Sequence, residues 1–220
     1  MAYVRETTGL LVLILLTACL RFFVAPFTVL FAFYVSGHLH ASLDWYGFLI
    51  GGMGLGTIVG VAASGVVKLG PRTGGTAIVV ALITQSLALT ALALVGTPQA
   101  ALALVTLAGV LNGFINVRLT TLLQLAVATE MRGRVFGVLR TVTDGLVPIA
   151  TILAGVVADL TGRNVPVVYA GCGIALTCVS FTIAGSRSCR AFLTGAAVRP
   201  APVLPAKAPA EAVAAVGMGA

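Results

Sequence analysis

The chain has 220 residues, of which 59% are hydrophobic and only 9% charged, and its mean hydropathy is +1.11. A soluble domain carries about 25% charged residues, so this composition excludes a globular core inside a polar shell, and the apolar surface must face lipid. The net charge of +7 lies mostly between the apolar runs and at the ends of the chain, a placement that indicates membrane topology and not nucleic-acid binding.

Six continuous apolar runs each reach the ~20 residues that cross a hydrocarbon core of ~30 Å. Strands of a membrane β-barrel would be short and alternating, so the sequence predicts an all-α membrane protein with six transmembrane helices over residues 9–185. Residues 1–8 form a short N-terminus, and the Ala- and Pro-rich tail over residues 186–220 is predicted to be disordered, because it cannot bury enough surface to fold. In chain order the predicted spans cover residues 9–36, 45–67, 74–95, 100–128, 135–158 and 165–185.

Basic residues set the predicted orientation, because cytoplasmic loops carry an excess of Lys and Arg. The asymmetry alternates at every loop, and one side of the membrane holds only Arg163. We therefore expect a multi-pass protein of the cell membrane with both termini in the cytoplasm. The basic side comprises Arg5, Lys68, Arg72, Arg132, Arg134, Arg187 and Arg190.

The first span carries a full charge near its middle, at Arg21. Such a charge costs about 2.5–3.5 kcal/mol on insertion scales and usually faces a protein interior or a wet cavity, so we expect Arg21 to line a substrate cavity. Phe23 and Phe27 on the same span form either lipid and helix contacts or an aromatic wall of that cavity. Pro26 removes a backbone hydrogen bond, and we expect it to kink and interrupt the span.

The second span carries a ladder of small residues at every fourth position. Small residues at this spacing let helix backbones approach closely, so the ladder predicts a helix-packing face, which is compatible with an interface that moves during transport. Its members are Gly52, Gly56, Gly60 and Ser64.

Polar groups recur on the fourth and fifth spans. Asn112 and Asn116 lie one turn apart, and as amides in lipid they need partners, so they either bind substrate or join helices. Arg118 is assigned to the same cavity because it is a charge within an apolar run.

On the fifth span, Arg140 and Asp144 share a helix face. We expect them to pair, either as a structural contact or in gating and proton coupling. Pro148 predicts a second kink.

The third and sixth spans carry no charge and only Thr, Ser and one Gln as polar residues, so we expect them at the lipid-facing periphery. The first, fourth and fifth spans carry charges and are expected inside, and the second is interpreted by its small-residue ladder. No catalytic site is predicted, because the histidines His38 and His40 lie in a loop and give Ser64 no helix-borne base. The sequence contains no P-loop, dinucleotide fingerprint or metal-ligand cluster. We therefore expect no enzyme activity, cofactor or metal.

Two segments around the fifth span are similar to a known family. Residues 131–137 read Met-Arg-Gly-Arg-Val-Phe-Gly, and after Pro148 residues 154–162 read Ala-Gly-Val-Val-Ala-Asp-Leu-Thr-Gly. Together with the order of the six spans, they resemble the second half of a major facilitator superfamily transporter, of the drug-efflux kind that includes macrolide and siderophore exporters. The loop before the third span departs from that family, because either Lys68 or Leu69 stands where the family has an acidic residue. A gate salt bridge is therefore not carried over.

The resemblance implies a half-bundle of that superfamily and a function in secondary, proton-coupled efflux of small amphipathic molecules. It implies a cavity lined by the first, second, fourth and fifth spans. It also implies a second six-helix half as partner, on a separate polypeptide or in a homodimer. The alternative is a non-transporting membrane interaction or assembly protein, or an inactive truncated fragment of a transporter.

The predicted orientation is testable by cysteine labelling. In a cysteine-free background, Ser42→Cys and Gln99→Cys should react with a membrane-impermeant maleimide in intact cells, because both positions lie on the predicted outer side. Gly70→Cys and Met131→Cys should react only after the membrane is permeabilised. Labelling of Gly70→Cys in intact cells would refute the orientation.

Overall fold

The computed structural model describes residues 2–67, 70–127, 132–162 and 164–185, and within these ranges every regular element is a helix. The predicted tail over residues 186–220, and Lys68, Leu69 and Arg163, lie outside the described residues. The helices are α1 (Ala2–Val29), α2 (Phe31–Phe33, followed by a π-helical turn over Tyr34–His38), α3 (Asp44–Val66), α4 (Pro71–Ala91), α5 (Pro98–Ala126), α6 (Arg132–Leu160) and α7 (Val165–Gly185).

The long helices have the length and composition of membrane spans. In the part of the chain that the structure describes, α3 to α7 each qualify, and the bent pair Thr17–Val29 and Phe31–His38 makes a sixth span if it is counted as one. The predicted all-helical fold class is thus confirmed, and the number of long apolar helices is that of a multi-pass membrane protein. α1 begins at Ala2, so residues 2–8 of the predicted N-terminal segment are helical and continuous with the first span.

The first span is bent by 43° between its two parts. The break lies at Leu30, whose φ of −86° and ψ of 2° leave the helical region. Pro26 lies one turn earlier, inside α1. The interruption predicted at Pro26 is therefore displaced by one turn towards the C-terminus.

Two tyrosine hydroxyls connect this bend to the rest of the bundle. Tyr169 donates a hydrogen bond of 2.7 Å to the main-chain oxygen of Phe27, and Tyr34 donates one of 2.6 Å to that of Leu92. The rings of Phe27 and Tyr169 lie 4.6 Å apart, and both side chains are fully buried. Because helix ends leave main-chain carbonyls without helical partners, these side-chain bonds stabilise the bent conformation.

The fifth predicted span is continuous. α6 runs from Arg132 to Leu160 with Pro148 inside it, so the helix is not broken there, and a kink at Pro148 stays a prediction. A proline removes a single main-chain hydrogen bond, and the long helical stretches on both sides of Pro148 preserve the rest of the hydrogen-bond ladder.

The helices pack largely in pairs. α3 lies against α5, α1 lies against α6, and α4 contacts both α5 and α7. The prediction that the third span is peripheral is wrong for α4: 50% of its most apolar window is buried within the chain, against 22% for α3 and for α6. The prediction fails because a helix without charges suits an apolar protein interior as well as it suits lipid.

The ladder of small residues on α3 lies directly on α5. A Cβ atom added at Gly56 would meet the main-chain oxygen of Thr106, and one added at Gly60 would meet that of Val110. At Gly52 it would meet the hydroxyl oxygen of Thr106. The two backbones are therefore in contact at positions where any side chain on α3 would separate them.

The contact is reciprocal, because α5 presents glycines to α3. A Cβ atom at Gly109 would meet the main-chain oxygen of Met53, and one at Gly113 would meet that of Thr57. Ser64, the last member of the ladder, is also buried. The ladder thus lies inside an α3–α5 interface of the chain itself.

This interface predicts a position-specific effect of adding one methyl group to α3. Gly60→Ala should destabilise the protein by about 1–3 kcal/mol, because the new Cβ forces two backbones apart. Gly51→Ala is the matched control, since Gly51 has open space around it and alanine favours a helix by about 1 kcal/mol over glycine. Thermal unfolding of the detergent-solubilised variants measures the difference. Equal melting temperatures for the two variants would contradict the contact.

Candidate functional site

A cavity of about 350 Å³ lies between α1, α4 and α5, with α3 and α6 each contributing to its wall. This volume is at the lower end of the range for small-molecule sites. Buried apolar clusters occupy the bundle on either side of it. One contains Tyr34 and Tyr169, and the other contains Leu82 and Leu123. The cavity therefore lies at intermediate depth in the bundle.

Six polar side chains from three helices line this cavity, two of them the hydroxyl side chains of Thr17 and Thr28 on α1. α1 contributes Arg21, α4 contributes Gln85, and α5 contributes Asn112 and Asn116. The structure thus brings together three residues that the sequence analysis assigned to a substrate cavity and adds a glutamine from the span expected at the periphery. A mainly apolar wall with a few convergent polar groups is the usual composition of a ligand site.

Arg21, Gln85 and Thr28 are the described polar lining residues whose side chains have no protein partner. The Arg21 side chain is exposed, and Gln85 is only 5% exposed. Among the described residues, neither side chain has a hydrogen bond or an ion pair. A buried amide without a partner is costly, so Gln85 is more unusual than Arg21.

The two asparagines bond to each other along α5. The side-chain nitrogen of Asn116 donates to the side-chain oxygen of Asn112 at 3.1 Å and to its main-chain oxygen at 3.2 Å. These bonds lie within one helix, so they do not join α5 to a neighbour. The side-chain nitrogen of Asn112 makes no further bond within the described ranges, which leaves a donor at the cavity wall.

Arg118 has a different environment from the one expected, and it is not among the cavity-lining residues. Its guanidinium donates to the main-chain oxygens of Val67 at 2.5 Å and Ser64 at 3.4 Å. It also lies 5.4 Å from the ring centre of Phe114. Since α3 ends at Val66, Arg118 caps the helix by satisfying terminal carbonyls and by placing a positive charge at the negative end of the helix dipole.

The phenylalanines of α1 pack within the protein. Phe27 is fully buried against Tyr169, and Phe23 packs beside the same apolar cluster, with its ring 5.3 Å from that of Phe22. Neither lines the cavity. Of the two alternatives left open by the sequence, these positions fit helix contacts and not an aromatic wall.

Arg140 and Asp144 lie on the exposed surface of α6. The structure shows no ion pair between these two described side chains. Val147, one turn from Asp144, is the residue that α6 contributes to the cavity. A gating or coupling role for Arg140 and Asp144 stays a prediction.

Gln85 is the site residue that sequence reasoning missed. The sequence feature that could have identified it is a single amide in an otherwise apolar span, because such an amide needs a polar partner or a wet cavity. In the part of the chain that the structure describes, no group of three or more His, Cys, Asp or Glu side chains is placed to hold a metal ion.

Comparison with known proteins gives no relative for this chain: no family model, no curated protein and no solved structure matches it.

The different environments of the two arginines predict different effects on stability. Arg118→Met should destabilise the protein by about 1–3 kcal/mol, because it leaves the carbonyls of Ser64 and Val67 without a donor. Arg21→Met should leave stability unchanged or raise it, because Arg21 has no protein partner and a charge in lipid is costly. Thermal unfolding in detergent compares the two variants. A larger loss for Arg21→Met than for Arg118→Met would contradict these assignments.

Proposed function

We propose that this chain is one half of a secondary active transporter that exports small amphipathic molecules, with coupling to protons. In this proposal the chain lies in the cell membrane with both termini in the cytoplasm. The second half is a six-helix bundle, either on a separate polypeptide or as a second copy of this chain.

The observation that carries the proposal is a polar cavity among membrane-spanning helices. Arg21, Gln85, Asn112 and Asn116 meet there between apolar walls. Charged and amide groups at membrane depth are expensive and mark substrate pathways more often than they stabilise packing. The resemblance to major facilitator transporters implies a cavity lined by the first, second, fourth and fifth spans, and the corresponding helices α1, α3, α5 and α6 all contribute to this one.

The exposed faces of α3 and α6 support the need for a second half. Both helices are largely unburied within the chain, and their exposed surfaces combine large apolar residues with polar ones. Arg140 and Asp144 lie on the exposed face of α6, where lipid alone would leave two charges without partners. A second bundle against this face would bury them and complete the cavity.

The alternative is a membrane assembly protein that uses the glycines of its second span to bind a partner. That use conflicts with the packing of Gly56 and Gly60, which are already covered by α5.

An inactive transporter fragment would have the same fold as an active half, so a transport measurement is needed to distinguish the two. A neighbouring reading frame that encodes six more apolar helices would favour the split transporter.

The transport proposal predicts that Arg21 is needed for efflux but not for insertion. In cells that co-express the chain with its candidate first half, or that express the chain alone as a self-dimer, Arg21→Ala should reach the membrane at wild-type amounts and lose efflux. Arg21→Lys should retain part of the activity if charge suffices, and little if two-point hydrogen bonding is needed. Efflux is measured as the fall in cell accumulation of fluorescent amphipathic compounds.

Arg134→Ala is the control for this experiment, because Arg134 is an exposed arginine of α6 outside the cavity. It should transport normally. Normal efflux by Arg21→Ala would exclude this cavity as the route. If neither the self-dimer nor any co-expressed pair exports a compound, the transporter proposal fails and the inactive fragment remains.

A further inference from the structure

We propose that the cavity binds an anionic amphipathic molecule, with Arg21 holding its negatively charged group and the apolar walls holding its hydrocarbon part. The inference uses the proposed function only in treating the cavity as a ligand site, and it specifies the chemical class of the ligand. Binding to the chain alone tests it, so its outcome is independent of transport.

The first argument is the charge balance of the cavity. Arg21 is the single charged residue among the described lining residues, none of which is Asp or Glu. The acidic residue on the same helix, Glu6, is fifteen positions away, which corresponds to roughly 22 Å along an α-helix. Asp144 of α6 is exposed and does not line the cavity. No described carboxylate of the chain therefore neutralises Arg21.

The second argument is the contrast with Arg118. An arginine cannot lose its proton in a protein, so at membrane depth it needs an acceptor or water. Arg118 has acceptors in the carbonyls of Ser64 and Val67. Arg21 lies at a cavity and has none among the described residues. An acceptor that arrives with a ligand is the partner that its position allows.

The third argument is the set of uncommitted donors around Arg21. Gln85 is 5% exposed, lines the cavity and has no described partner, so both of its amide hydrogens are available. The side-chain nitrogen of Asn112 is also unused, since the oxygen of that amide accepts from Asn116. A carboxylate takes several hydrogen bonds at once and binds arginine through two parallel bonds, which matches this surplus of donors.

The rest of the wall fits a hydrocarbon chain. The apolar lining comes from α1, α3, α5 and α6, and the further polar groups in the described lining are the hydroxyls of Thr17 and Thr28. The wall is therefore mainly apolar and does not suit a uniformly hydrophilic anion. A short fatty acid has the required combination of one carboxylate and one flexible apolar part. The apolar wall comprises Leu20, Val24, Met53, Ile115, Leu119 and Val147.

Radiolabelled octanoate is a direct probe of this proposal. The full chain is reconstituted into phosphatidylcholine nanodiscs, and binding is measured by scintillation proximity after subtraction of empty discs. Saturable binding is expected. Arg21→Gln should raise the Kd by at least about tenfold, the loss expected for a hydrogen bond between charged groups, and Gln85→Leu should raise it several-fold. Unlabelled octanoate should compete for the site. Octyltrimethylammonium should not compete, because the positive charge of Arg21 repels its ammonium group.

Arg134→Gln is the matched control, since it removes the same charge from an exposed position outside the cavity, and its Kd should stay within about twofold of wild type. No saturable binding to the wild-type chain, equal competition by the ammonium compound, or an equal loss in Arg134→Gln would each overturn the proposal. If Arg21→Gln does not purify as a folded protein, Gln85→Leu and the competition on the wild-type chain decide the outcome.

Two further arms separate the source of the anion and the role of the cavity. Loss of octanoate binding in discs that contain phosphatidylglycerol would assign Arg21 to a lipid headgroup and overturn a small-molecule ligand. A chain that binds octanoate but exports nothing with any partner supports this inference while the transporter proposal fails. Efflux that depends on Arg21 but ignores the charge of the compound supports the transporter proposal and overturns this inference.

Discussion

Polar groups inside a membrane must find their hydrogen-bond partners within the protein, because lipid offers none. This constraint explains most of the polar contacts in the chain. Hydroxyl side chains within the spans bond back to main-chain oxygens of the preceding turn, and Tyr169 supplies a donor to Phe27 where the first span breaks. Such back-bonding is made by Thr57, Thr90, Thr151, Thr177 and Ser180. Arg21 and Gln85 have no such partner among the described residues, and both line the cavity that Asn112 and Asn116 also line.

The same constraint operates along the α3–α5 interface. The contacts keep a constant register of four residues, from Gly56 near Thr106 to Gly60 near Val110. One turn further, Ser64 contributes the carbonyl that Arg118 binds. The close backbone approach that glycine permits therefore brings the guanidinium of one helix within reach of the end of the other. The cap and the glycine ladder form a single contact surface between α3 and α5. Arg118 therefore stabilises helix packing, although its position within an apolar run had predicted a cavity residue.

Sequence reasoning predicted what depends on the length and charge of each span. The apolar runs predicted the helices. The cost of a charge at membrane depth led to Arg21, and the need of amides in lipid for partners led to Asn112 and Asn116, which line the same cavity. The predictions from sequence failed where contacts with neighbouring helices determine the structure. The break at Leu30 depends on tertiary bonds from Tyr169 and from Tyr34, and the burial of α4 depends on contacts with α5 and α7. The hydropathy of the first span does not predict the break, and that of α4 does not predict its burial, because an apolar helix has the same hydropathy whether it packs against lipid or against protein.

The helix pairs determine how a ligand in the cavity would act on the bundle. Arg21 belongs to α1, which packs against α6, whereas Asn112 belongs to α5, which packs against α3 through backbone contacts. Packed cores change between discrete arrangements and do not deform continuously, and at the glycines the backbones of α3 and α5 are in direct contact. The proposed anion, held by Arg21 and by the amides of α5, would therefore bridge the α1–α6 pair and the α3–α5 pair. Because such a bridge would form only when both pairs are correctly spaced, the proposed ligand would stabilise one relative position of the pairs over others.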